Sequence, residues 1–113
     1  MAAERMRRVN EAIRQVIADA LAGELADPRL GFVTVTDVKT SPDLRSARVF
    51  VSVLGSSEVR ADSLAALDRA HGVLQSQIAT QLSLKRTPRL QFEYDATTDR
   101  ALRVETLLRE GAE

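Results

Sequence analysis

Apolar residues recur at three- and four-residue intervals along the first part of the chain, at Met6, Val9, Ile13, Val16, Ile17, Ala20 and Leu21. That spacing lines one face of an α-helix and predicts a helix over about residues 3–25, with Pro28 just past its end. Glu11, Arg14, Gln15 and Asp19 fall on its solvent side. The pattern then changes period. Residues 32–40 (FVTVTDVKT) are rich in β-branched side chains and read as a strand. Ser41-Pro42-Asp43 is turn chemistry. In residues 45–54 (RSARVFVSVL), Ala47, Val49, Val51 and Val53 share one face. The two runs and their short turn predict an antiparallel hairpin. Phe50 falls on the opposite side from the valine row, where the reading places it under the first or the last helix.

Helical spacing resumes after Gly55-Ser56-Ser57, through Leu64, Leu67, Ala70, Val73, Leu74, Ile78 and Leu82. Gly72 interrupts it. A glycine costs a helix interior about 1 kcal/mol relative to Ala, so a kink is predicted there. Gly72 either ends one helix in a left-handed cap or lets another backbone approach closely. Pro88 breaks the pattern, Leu90, Phe92 and Tyr94 alternate as a third strand, and Leu102, Val104, Leu107 and Leu108 suggest a last short helix. The predicted order is α-β-β-α-α-β plus that helix. It implies an α+β domain with helices covering a three-stranded sheet. At 113 residues the chain suits a single domain, with a flexible end from about residue 110.

Composition narrows the chemistry. There are no cysteines, which removes disulfides and thiolate metal sites. No apolar run reaches the roughly 20 residues that span a bilayer, and the N-terminal segment lacks an apolar signal core, so no membrane association and a cytoplasmic location are expected. Sixteen basic residues balance sixteen acidic ones, which argues against strong nonspecific nucleic-acid binding. The charge is uneven, however. Arg5, Arg7 and Arg8 crowd the start of the first helix, where cations oppose the helix dipole. Lys85, Arg86 and Arg89 lie together without an acid, and from Glu93 onward six acids face three arginines. The first two groups are candidate phosphate contacts. Arg69, His71 and Gly72, at the interhelical corner, join them as candidate RNA-binding residues.

Catalytic readings find little support. His71 is the single histidine, so a two-histidine metal site is impossible and a nucleophile–base pair would have to share that residue. Asp27, Asp37, Asp43 and Asp95 fall near strand and turn ends, where Asp commonly accepts local hydrogen bonds. No phosphate-cradling glycine loop is present. The expectation is a non-enzyme with no metal, cofactor or small-molecule substrate.

Several motifs together suggest a family. Asp27-Pro28-Arg29-Leu30-Gly31 followed by Val33-Thr34-Val35-Thr36-Asp37-Val38 closely resembles the link from first helix to first strand in the ribosome-binding factor A family. Residues 41–53, from Ser41-Pro42-Asp43-Leu44 to Val51-Ser52-Val53, resemble its hairpin, S-x-D-L-x-x-A-x-V-[YF]-V-S. Ala70-His71-Gly72 resembles its interhelical A-x-G kink. Leu84-Lys85-Arg86-Thr87-Pro88-Arg89-Leu90-x-Phe92-x-Tyr94-Asp95 follows L-R-x-x-P-x-L-x-F-x-x-D at most positions. The chain departs from the pattern in three places. Gln75 takes a position usually held by Arg, Lys85 replaces the first Arg of L-R-x-x-P, and Arg89 replaces a frequent Glu.

The resemblance implies a KH-like fold of the second topological type, with a helix-kink-helix in place of a G-x-x-G loop. It further implies a monomeric bacterial assembly factor that binds the small ribosomal subunit and its 16S rRNA, acts late in rRNA processing, and matters most in the cold. Few aromatics are available for stacking, so recognition of folded rRNA through phosphates is expected. The alternative reading is a KH-like protein-interaction adaptor without direct RNA binding, favoured slightly by the zero net charge and the acidic final segment.

Overall fold

The computed structural model describes residues 2–23 and 32–97. The first apolar stripe forms α1 (Ala2–Gly23), with Ile13, Val16 and Ile17 buried. On its solvent side Arg14 pairs with Glu11 and Gln15 with Asp19, at the three- and four-residue spacings that bring side chains together on a helix. The D-P-R-L-G motif and the predicted last helix lie outside the described residues.

β1 (Phe32–Thr40) and β2 (Ser46–Leu54) form the expected antiparallel hairpin. Ala47, Val49, Val51 and Val53 are all buried, as their alternation requires. β1 is less regular, because Val35 and Val38 are three apart and both buried. A bulge reconciles them: Val35 pairs with Val51 and Asp37 with Phe50, which leaves Thr36 without a register partner. The Thr36 hydroxyl donates instead to the Asp95 carboxylate at 2.6 Å.

Gly55 turns the chain out of β2 at φ +132, and a Cβ there would meet Val59 Cγ1 at 3.0 Å. Glycine is required on both counts. Ser56 then caps α2 (Ser57–Arg69), its hydroxyl accepting from the Val59 N–H at 3.2 Å. α3 (His71–Gln81) follows after a single residue. The break falls at Ala70 (φ −84, ψ 0), two residues before the predicted kink. Gly72 lies inside the first turn of α3, without a positive φ. A Cβ built on it meets nothing within 4 Å. Gly72 is therefore neither a left-handed cap nor a spacer between packed helices. Gly72→Ala is expected to stabilise the fold by about 0.4–1 kcal/mol through the unfolded chain's lost freedom, read as a higher urea midpoint.

β3 (Arg89–Tyr94) pairs in parallel with β2, giving the order β1-β2-β3 in a mixed sheet. Parallel neighbours need a crossover, and α2 and α3 supply it. Ile13, Ile17, Leu67, Leu74 and Ile78 from the helices meet Val35, Val38, Val49, Val51 and Leu90 from the sheet in one core. The helices thus cover one face, in the α-β-β-α-α-β order of the KH-like fold. Both edge strands are also tied to a helix. Asn10 of α1 accepts from the Thr40 N–H at 2.9 Å, and Gln75 of α3 accepts from the Leu90 N–H at 3.2 Å. Phe50 is not covered by α1, and the predicted last helix, its other expected cover, lies outside the described residues. The side chain sits on the face away from α1, half-buried, with the Lys39 ammonium 5.6 Å and the Arg48 guanidinium 5.1 Å from its ring centroid. The period of two that buries the valine row turns Phe50 outward.

Candidate nucleic-acid interface

Three segments distant in sequence converge at one end of the molecule: the first turns of α1, the β1–β2 turn, and the loop between α3 and β3. Between them lies a groove of about 500 Å3, its lining including Arg5, Met6, Asp43, Leu44, Lys85 and Arg86. The fold therefore brings Arg5, from the first cationic group, together with Lys85 and Arg86 from the second. None of the three has an ion-pair partner among the described residues. Met6 and Leu44, which the sequence reading did not single out, supply apolar surface beside them.

The β1–β2 turn is held by its own side chains. The Ser41 hydroxyl donates to Asp43 Oδ1 at 2.6 Å, and the Arg45 N–H donates to the same oxygen at 3.1 Å. The Leu44 N–H donates to the Ser41 carbonyl at 2.9 Å. These bonds fix Leu44 at φ 59, the left-handed region that costs a residue bearing a Cβ roughly 1–2 kcal/mol. The hydrogen bond from Ser41, then that from the Arg45 backbone, holds the Asp43 carboxyl below the usual range. A lowered carboxyl pKa means that Asp43 supports the turn at neutral pH. That support is lost on acidification below the ordinary carboxylate range.

The remaining predicted cations are placed differently. Arg7 and Arg8 are well exposed and share Glu4, at 3.7 and 3.4 Å. Beside them Arg14 is held by Glu11, and this hydrogen-bonded pair raises the guanidinium pKa and lowers that of the carboxyl. Acids thus offset most of the charge on that side of α1. Arg89 lines a separate, smaller hollow with His71 and Asp68. His71 Nδ1 lies 2.6 Å from the Asp68 carbonyl, and since a carbonyl only accepts, Nδ1 carries the proton. Arg69 is exposed in the last turn of α2. The predicted residues thus fall into one groove, one hollow and one stretch of helix whose charge acids largely offset, with Arg69 and Gly72 in none of the three. No group of three or more potential metal-ligating side chains occurs among the described residues, and no helix there is long and apolar enough to cross a membrane.

Comparison with known proteins settles the ancestry. The model of one family, described as ribosome-binding factor A, matches residues 5–108. The chain belongs to the ribosome-binding factor A family. Ribosome-binding factor A of Beutenbergia cavernae is 47% identical over 108 residues, covering 96% of this chain and 68% of that one. The crystal structure of ribosome-binding factor A from Thermus thermophilus superposes with a TM-score of 0.70 at 29% identity, covering 79% of this chain and 94% of that one. A Thermus thermophilus ribosome-binding factor A homology model, fitted into a cryo-EM map of a 30S complex, matches with a TM-score of 0.61 at 32% identity, covering 74% of this chain and 88% of that one.

In this ribosome-binding factor A family member, Gln75 has a role of its own in the fold. Gln75 Oε1 accepts the outward N–H of Leu90 on an edge strand, and arginine has no acceptor with which to do so. Gln75→Ala is expected to cost about 0.5–1.5 kcal/mol. Amide exchange at Leu90, followed by NMR, should accelerate in the variant.

Proposed function

We propose that this chain binds the small ribosomal subunit and its 16S rRNA. It acts as a monomer in the cytoplasm and assists late processing and maturation of the subunit, with the greatest demand in the cold. It does so without catalysis. The observation that carries this reading is the convergence on one groove of Arg5, Lys85 and Arg86, none of them ion-paired among the described residues. Three cations line the groove against one acid, Asp43, so like charge is concentrated there, and an external anion relieves the repulsion. Family membership and the fit of a Thermus relative into a 30S complex support rRNA phosphate as that anion. Zero net charge is compatible with this, since Glu4 and Glu11 offset most of the charge of Arg7, Arg8 and Arg14, while the groove cations have no such partner among the described residues.

Arg5, Lys85 and Arg86 serve as phosphate contacts. Arg89 adds a fourth from the neighbouring hollow, beside His71, and Arg7, Arg8, Arg69 and Gly72 lie at the margins of the RNA surface. The test is co-sedimentation of the purified chain with isolated small and large subunits at two salt concentrations. Binding to small subunits alone is expected, with log affinity falling against log salt at a slope of roughly −3 to −4 for four phosphate contacts. A flat salt response, or equal binding to both subunits, would overturn the proposal. A precursor rRNA incubated with the pure chain should remain intact.

A further inference from the structure

We propose that the groove takes an unstacked nucleotide from a single-stranded stretch of RNA, its base against Leu44 and Met6 and its flanking phosphates on Arg5, Lys85 and Arg86. This inference rests on the ribosomal reading and adds to it the kind of RNA bound.

The starting point is the strained residue. A left-handed turn position ordinarily carries Gly or Asn, because a larger side chain adds strain there. Here it carries Leu, at φ 59, and the turn is locked by the Ser41–Asp43–Arg45 hydrogen bonds. The strain is not repaid by the core, because Leu44 is only half-buried and lies outside the central apolar cluster. Met6, likewise half-buried and outside that cluster, lines the same groove. Two aliphatic side chains thus add apolar surface to a groove that three cations also line.

That combination selects among RNA shapes. A duplex offers phosphates and sugars on a convex surface and keeps its base faces stacked inside. Only a base out of the stack presents an apolar face that can be buried on a concave floor. The volume, about 500 Å3, lies within the usual range for small-ligand sites, roughly 300–1,000 Å3. The Asp43 carboxylate also lines the groove and repels phosphate, which directs the backbone to the Arg5, Lys85 and Arg86 side.

The test compares fluorescently labelled single-stranded RNA hexamers, abasic hexamers with the same number of phosphates, and a short RNA duplex. Each is bound to the full chain at one salt concentration. Ordinary hexamers are expected to bind about tenfold tighter than abasic ones. Leu44→Gly and Leu44→Asn, both suited to the left-handed position, should reduce that preference to near unity while the unfolding midpoint holds or rises. Equal binding of ordinary and abasic hexamers would overturn the inference. So would either variant keeping the preference, or a groove that an acidic peptide occupies and hexamers do not. Any of these results combined with intact small-subunit co-sedimentation removes the unstacked nucleotide and leaves the ribosomal reading standing. Failure of the parent chain to bind small subunits removes that reading itself.

Discussion

A chain carrying Arg5→Ala, Lys85→Ala and Arg86→Ala together is expected to bind small ribosomal subunits about ten- to a hundredfold more weakly than the parent, with its unfolding midpoint nearly unchanged. Each phosphate contact adds close to one unit to the salt dependence of binding. The slope should therefore become shallower by about two to three units, and this distinguishes lost phosphate contacts from a general loss of structure. None of the three side chains is buried or ion-paired among the described residues, so little stability depends on them. Arg7→Ala with Arg8→Ala provides the comparison. Those two side chains share Glu4, which already offsets part of their charge, so a smaller loss with a smaller change of slope is expected. Equal losses from the two variants would mean that cation number, and not the groove, governs binding.

Ile17→Ala is expected to cost about 2–5 kcal/mol, the range for truncating a fully buried aliphatic side chain. Ile17 is completely buried where α1 meets the sheet, and small domains have only about 5–15 kcal/mol in total. Thermal unfolding should shift down by on the order of 10 °C or more, whereas Gln15→Ala, exposed on the same helix, should stay within about 0.5 kcal/mol. Because α1 carries Arg5 to the groove, Ile17→Ala should also weaken subunit binding near its lowered midpoint and recover it on cooling.

Much of the fold is legible in the sequence because the apolar period changes cleanly. The spacing of Ile13, Val16 and Ile17 identifies α1, and the alternation of Ala47, Val49, Val51 and Val53 identifies β2, since burial acts on each residue through its local geometry. The bulge at Thr36 is not legible. It depends on cross-strand pairing, and FVTVTDVKT gives no local sign of an extra residue. Spacing alone puts the helix break at Gly72, since glycine is the commoner breaker, whereas the chain needs only a one-residue change of direction at Ala70. Size alone suggests a covering helix for Phe50, although its strand position turns it away from α1. Of the candidate site, the cations can be found by their charge, but their sorting into groove, hollow and acid-balanced helix needs the tertiary structure. Leu44 is invisible as a functional candidate because its distinguishing property is a backbone angle.

The parallel pairing of β2 with β3 fixes the order in which this molecule can be completed. Ser46 lies beside Arg89, so the sheet closes only after residues 55–88 have folded back across it. During synthesis, at about 5–20 residues per second, the hairpin is finished roughly 2–8 s before the last strand residue is added. Throughout that interval β2 has one bare edge, and a bare edge is a template for other chains. A nascent or truncated chain that ends before Arg89 is therefore expected to aggregate more readily than the whole chain, in which β3 covers that edge.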